Sequence, residues 1–128
     1  MRYLTAKQIL ALHDIIIQET GGSHGVRDLN SIATLEKLPK QAIAKTELYP
    51  TLFIKAALYV RNIITEHPFV DGNKRTGMIT AGVFLNENNY EIDTKIGEIE
   101  KFALQVIEKK LSLEDIAKWL KKHSKATS

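Results

Sequence analysis

The sequence predicts an all-α protein, a compact bundle of about six helices with a small flap before the central one. Three observations carry this. Apolar residues recur at three- and four-residue spacing along most of the chain. Residues that start helices (Thr5, Asp28, Ser112) stand just ahead of those periodic runs. Extended patterning is confined to two short stretches, near residues 42–48 and 90–92. At 128 residues with 44% apolar content, the chain suits one domain over 1–128 with one core.

The first helix is capped by Thr5 and carries Ile9, Leu12 and Ile16 beside Leu10, His13 and Ile17. Gly21-Gly22 ends it and opens a flexible loop to Gly25. Asp28 is a natural N-cap for a short second helix with Leu29, Ile32, Leu35 and Leu38, which Pro39 should stop. Residues 40–50 are polar, with weak alternation from Ala42 to Leu48, and could form the flap. Pro50 and Thr51 open a third helix with Phe53, Ala56, Ala57, Val60, Ile63 and Ile64. It is apolar around much of its circumference, so it is expected at the centre.

A fourth helix is expected from about Asn73 to Asn88, burying Ile79, Ala81, Val83, Phe84 and Leu85. Gly77 and Gly82 inside it each cost about 1 kcal/mol relative to alanine, which suggests close approach by a neighbouring helix or a ligand. Tyr90–Ile92 reads as a short extended piece. A fifth helix, about 95–109, uses Ile96, Ile99, Phe102, Ala103, Val106 and Ile107. Ser112 and Asp115 give a capping-box-like start to the last, with Leu113, Ile116, Ala117, Trp119 and Leu120. There is no internal repeat and no low-complexity segment.

Composition removes several function classes. The chain has no cysteine, which excludes disulfides, thiolate nucleophiles and cysteine zinc sites and suits a reducing cytoplasm. No apolar run approaches the roughly 18–20 residues that span a bilayer, and the first residues lack the apolar block of a signal peptide. A cytoplasmic protein without membrane partners is the expectation. The net charge of +3 is local in origin: Lys118, Lys121, Lys122 and Lys125 give residues 118–128 a charge of +4, so the remainder sums to −1. A basic helix end followed by a frayed, solvated tail explains this better than a nucleic-acid surface does.

One segment concentrates chemistry: His67-Pro-Phe-Val-Asp71-Gly-Asn-Lys-Arg75. Pro68 stops the preceding helix and Phe69 can plug the loop into the core. Gly72 permits a tight turn, and Asn73, Lys74 and Arg75 open the next helix. Two cations in a first helical turn oppose the positive potential of the free N–H groups, a cost that an anion would remove. Backbone amides, a glycine and Lys/Arg together form a phosphate cradle. Asp71 offers a hard oxygen ligand for Mg²⁺, and His67 a general base. Each residue also has an ordinary role open to it. His67 could end helix three, Asp71 could cap helix four, and the cations could be solvated.

The segment resembles the motif of the Fic/Doc superfamily, roughly His-x-Phe-x-Asp/Glu-Gly-Asn-Gly/Lys-Arg. His67, Phe69, Asp71, Gly72, Asn73, Lys74 and Arg75 match every fixed position. Gly25-Val-Arg-Asp-Leu29, Leu48-Tyr-Pro-Thr-Leu52 and Leu111-Ser-Leu-Glu-Asp115 resemble stretches of its death-on-curing (Doc) branch. The resemblance implies a Fic/Doc-type helical bundle. It implies that His67 activates a hydroxyl of a target protein, that Asp71 holds Mg²⁺, and that Gly72 and Asn73 shape the anion-binding turn. Lys74 and Arg75 would contact the phosphates of ATP.

AMP-transferring Fic enzymes usually have glycine where this chain has Lys74, and a second arginine where it has Met78. Both departures resemble Doc toxins. The implied reaction is then transfer of the ATP γ-phosphate to a hydroxyl of translation elongation factor Tu, arresting protein synthesis. Only Thr94 and Glu98 have the spacing of the self-inhibitory Ser/Thr-x-x-x-Glu-Gly/Asn motif, and Ile99 stands where Gly or Asn belongs. Control by a separate antitoxin protein, laying a helical segment across the cleft, is implied instead. The alternatives are AMP transfer and a non-enzymatic binding module that kept the fold. His13, His24, His123, Trp119, Arg27 and Asp28 are assigned no chemistry, and Glu47 and Tyr49 could guide a target segment by edge pairing.

Overall fold

The computed structural model describes residues 1–127. Six α-helices form the body: α1 Ala6–Thr20, α2 Leu29–Lys37, α3 Leu52–Glu66, α4 Asn73–Glu87, α5 Glu98–Glu108 and α6 Leu113–Lys122. Four short strands accompany them: β1 Ala42–Ile43, β2 Thr46–Glu47, β3 Tyr90–Ile92 and β4 Ser124–Ala126. The mostly helical bundle is thus the one expected.

Helix α3 is the axis of the molecule. Every residue from Ala56 to Val60 is buried, as are Ile63 and Ile64, and the helix packs chiefly on α4 and α6. Its close approach to α4 depends on Gly77, where a Cβ would stand 2.9 Å from Cγ1 of Ile64 and 3.4 Å from the carbonyl oxygen of Val60. Gly82 does not share that role. A Cβ there would meet only Cδ1 of Ile92, at an ordinary 3.7 Å.

Local signals predict most element ends. Thr5 forms a reciprocal capping box with Gln8, and the side chains of Asp28, Thr51 and Ser112 each accept an N–H in the first turn of their helix. The flap is a hairpin, Ala42 opposite Glu47 and Ile43 opposite Thr46, turned by Ala44 and Lys45 in left-handed conformation. Its base is held from inside. Lys55, fully buried on α3, donates to the carbonyl of Pro39 (2.6 Å) and to Oε1 of Glu47 (2.9 Å). Glu47 is therefore an anchor to the core, already engaged before any target could meet it.

Several expectations are corrected. The second helix stops ahead of Pro39 as expected, but at Lys37, so that Leu38 lies outside it in a 3₁₀ turn, Leu38–Lys40, where proline is tolerated in the first turn. Leu29 and Ile79 are exposed rather than buried, Leu29 at the outward start of α2 and Ile79 on an open cavity of about 340 Å³ between α4, β3 and α5. Ile96 is fully exposed because Gly97, at φ 89°, starts α5 only after it. The C-terminal tail is not frayed as far as Ala126. β4 pairs antiparallel with β3, and Lys125 lies 3.3 Å from Glu91 and 3.6 Å from Asp93, whose carboxylates raise its pKa. Trp119 packs as expected, between the rings of Phe102 and His123. No described helix is long and apolar enough to cross a membrane.

Candidate functional site

The segment from His67 to Arg75 forms the junction between α3 and α4. α3 ends at Glu66 because His67 turns left-handed (φ 50°, ψ 59°) ahead of Pro68, whose ring disfavours a helical predecessor. The His67 side chain is exposed. A left-handed non-glycine residue at a loop start is strained and must be held by its surroundings. Arg27 holds it. Its Nε donates to the His67 carbonyl at 2.7 Å while its guanidinium also caps the Glu66 carbonyl. The backbone N–H groups of Arg27 and Asp28 both donate to the Pro68 carbonyl, and Val70 donates to Gly25. A bridge pairs Val26 with Phe69. The glycine loop after α1 thus runs as a brace along the motif.

Phe69 is the expected plug, 1% exposed and stacked on the His13 ring at 3.8 Å. Asn73 brackets its backbone, accepting from the Phe69 N–H (3.0 Å) and donating to the Phe69 carbonyl (2.9 Å). The Asn73 side chain is therefore committed to shaping the loop, and what it can offer an anion is its backbone N–H. Gly72 is the N-cap of α4 at φ 77°, and a Cβ there would lie 2.9 Å from Cδ1 of Ile17.

Asp71 is fixed from three directions. Its carbonyl lies 2.8 Å from Nε2 of His13, which carries the hydrogen because a carbonyl can only accept. Its Oδ1 accepts from the Gly72 N–H (2.8 Å) and its Oδ2 from the Ser23 N–H (3.1 Å). Gly22 leaves room for this, since a Cβ there would be 2.6 Å from Oδ2. Asp71 does not cap α4 through its side chain. Each carboxylate oxygen keeps lone-pair capacity for a cation. No group of three or more acidic or histidine side chains among the described residues could hold a metal alone. The donor set fits Mg²⁺, which takes one or two carboxylates plus phosphate oxygens and water.

The start of α4 is bare. It has no side-chain cap and no acidic residue in its first turn, and its backbone bonding begins only with Thr76 donating to the Gly72 carbonyl. Lys74 and Arg75 are both exposed there. Lys74 has no ion-pair partner among the described residues, and Nη1 of Arg75 donates to Oγ1 of Thr20 at the end of α1 (2.9 Å). Met78 lies one turn on and is 2% exposed, packed in the core where it can meet no phosphate. The predicted site residues His67, Asp71, Gly72, Asn73, Lys74 and Arg75 therefore share one junction. The sequence reading missed His13, Thr20, Ser23 and Arg27. His13 carried a signal, a polar side chain on a buried stripe, and Arg27 stands in the Gly25–Leu29 stretch that resembles the Doc branch, whereas Thr20 and Ser23 carried none.

The chain matches the model of the Fic/DOC family over residues 3–85. It is 29% identical over 117 residues to a Mycolicibacterium smegmatis protein named Toxin Doc, covering 90% of this chain and 88% of that one. It is 30% identical over 92 residues to Protein kinase doc of Escherichia phage P1, covering 72% of each chain.

Proposed function

The chain belongs to the Fic/DOC family, in its Doc branch, and from that premise we propose a toxin that transfers the γ-phosphate of ATP to a hydroxyl of translation elongation factor Tu. Residues 1–128 act as one Fic/Doc-type domain in the cytoplasm, and a separate antitoxin protein restrains it. The observation that carries this reading is the start of α4, bare of caps and acids, bearing Lys74 and Arg75, with His67 and Asp71 one loop away.

The mechanism follows from those groups. The N–H groups of Asn73, Lys74 and Arg75 and the two cationic side chains bind the triphosphate, whose negative charge answers the helix dipole. The imidazole of His67 takes the proton of the target hydroxyl as its oxygen attacks the γ-phosphorus. The bond to the bridging oxygen breaks and ADP leaves, so the phosphoryl group ends on the target. Lys74 and Arg75 neutralise the charge that spreads over the phosphoryl oxygens in that step. Mg²⁺ bound by Asp71 with phosphate oxygens would add to that neutralisation. Lys74 favours γ-phosphate over AMP transfer because it adds a cation where AMP-transferring relatives keep a glycine, and buried Met78 withholds the second arginine they use.

Incubation with ATP, Mg²⁺ and purified elongation factor Tu, read by intact mass, tests the proposal. The expected result is a gain of one phosphate per factor, absent with His67→Ala. A gain of AMP would overturn the phosphate assignment, and an unmodified factor would overturn the target.

A further inference from the structure

We propose that His13, on α1, is a positioning residue for the Asp71 carboxylate and thereby sets the affinity of the site for Mg²⁺. This rests on the reading of Asp71 as the Mg²⁺ ligand. His13 is 1% exposed, and its ring lies 3.8 Å from that of Phe69 at 5° between planes. Packing alone would be served by a phenylalanine. What the imidazole adds is one donor, and that donor goes to the carbonyl of Asp71 at 2.8 Å rather than to any group of its own helix.

The consequence is geometric. The Asp71 peptide is pinned through its carbonyl by α1, while its carboxylate is gripped by Gly72 N–H and Ser23 N–H. Those two grips come from loop backbone beside glycines at positive φ, Gly22 at 111° and Gly72 at 77°, where the chain turns easily. The His13 bond comes from a fifteen-residue helix seated in the core. It ties that peptide to a second helix, and removing it frees the peptide that carries the carboxylate. Partners one shell away from a metal orient the ligand in this manner.

The test is a Mg²⁺ titration of the full chain with a saturating non-hydrolysable ATP analogue, read as the shift in melting temperature. His13→Phe keeps the stacked ring and removes the donor. Half-maximal shift should then need about tenfold more Mg²⁺, whereas His13→Gln, whose amide can donate, should stay within about threefold of wild type. Asp71→Asn separates the two levels of the argument. If it titrates like wild type, the Mg²⁺ reading of Asp71 fails and this inference with it. If Asp71→Asn loses the Mg²⁺ response while His13→Phe titrates like wild type, only the role of His13 is overturned. Should His13→Phe not fold, His13→Gln decides: a titration near wild type supports the donor role, and a tenfold loss overturns it.

Discussion

Helices α1 and α4 are both fifteen residues long and lie against each other, yet they begin in opposite ways. α1 starts with a reciprocal capping box and has no glycine inside. α4 starts on a glycine with no side-chain cap, carries Lys74 and Arg75 in its first turn and holds Gly77 and Gly82 in its interior. The other helices side with α1. α2, α3 and α6 have side-chain caps, and α5, which lacks one, has Glu98 and Glu100 in its first turn. Only α4 combines an uncapped start, no acid and two adjacent cations in its first turn, and that start lies beside His67 and Asp71. A missing cap costs about 1 kcal/mol and misplaced charge about 0.3–1 kcal/mol more, which burial of Met78, Ala81, Phe84 and Leu85 offsets. The difference teaches that α4 is held by tertiary packing rather than by its own first turn, which leaves that turn open for the proposed phosphate contact.

The strongest way to break this comparison is to make α4 begin like the others. Lys74→Glu puts an acid where the helix dipole favours one and removes the proposed phosphate contact. Transfer should fall about 10²- to 10³-fold by the mass assay, the usual loss for a group that meets transition-state charge. Stability should stay level or rise by up to about 1 kcal/mol in a thermal melt without nucleotide. A variant that is less stable and still active would show that the bare start has nothing to do with anion binding.

This contrast was partly legible in the sequence, for a physical reason. Capping residues, apolar spacing and the contiguous run from His67 to Arg75 are local, so the six helices, the hairpin and the junction could all be read from neighbours in the chain. His13 and Arg27 act on backbone carbonyls 58 and 40 residues away and the Ser23 N–H on a carboxylate 48 residues away, and nothing in their own surroundings marks the partner. The strand Ser124–Ala126 was equally hidden. Its register with Tyr90–Ile92 is made by backbone bonds and by Lys125 against Glu91, so a short polar stretch reads as a loose tail until its partner is known. Asn73 was found but for only half of its role, because the pairing of its amide with the Phe69 backbone depends on the loop already being folded.

The converse change, on α1, should be smaller and of a different kind. Thr5→Ala removes the Oγ1 that accepts from the Gln8 N–H and should lower stability by about 1 kcal/mol in a denaturant titration. Turnover per folded molecule should not change, because Thr5 stands at the opposite end of α1 from Thr20, the residue that holds Arg75. If turnover fell with stability, the division between a helix start built for stability and one left open for binding would blur.

The two glycines inside α4 should change stability alone, and their signs should differ. Alanine is favoured over glycine in a helix by about 1 kcal/mol, so each substitution starts with that gain. At Gly82 the new methyl meets only Cδ1 of Ile92 at 3.7 Å, so most of the gain should survive and Gly82→Ala should stabilise by about 0.5–1 kcal/mol. At Gly77 the methyl would press on Cγ1 of Ile64 at 2.9 Å, with the Val60 carbonyl oxygen at 3.4 Å beyond. Ile64 is itself fully buried, so it has no solvent to turn into, and α4 would have to move off α3. Overpacking of that kind costs about 1–3 kcal/mol, which cancels the gain or exceeds it by up to about 2 kcal/mol. Paired thermal melts of Gly77→Ala and Gly82→Ala decide the point. A stabilised Gly77→Ala would mean that the α3–α4 contact has slack, and the burial that holds α4 without a cap would then have to lie elsewhere along the helix.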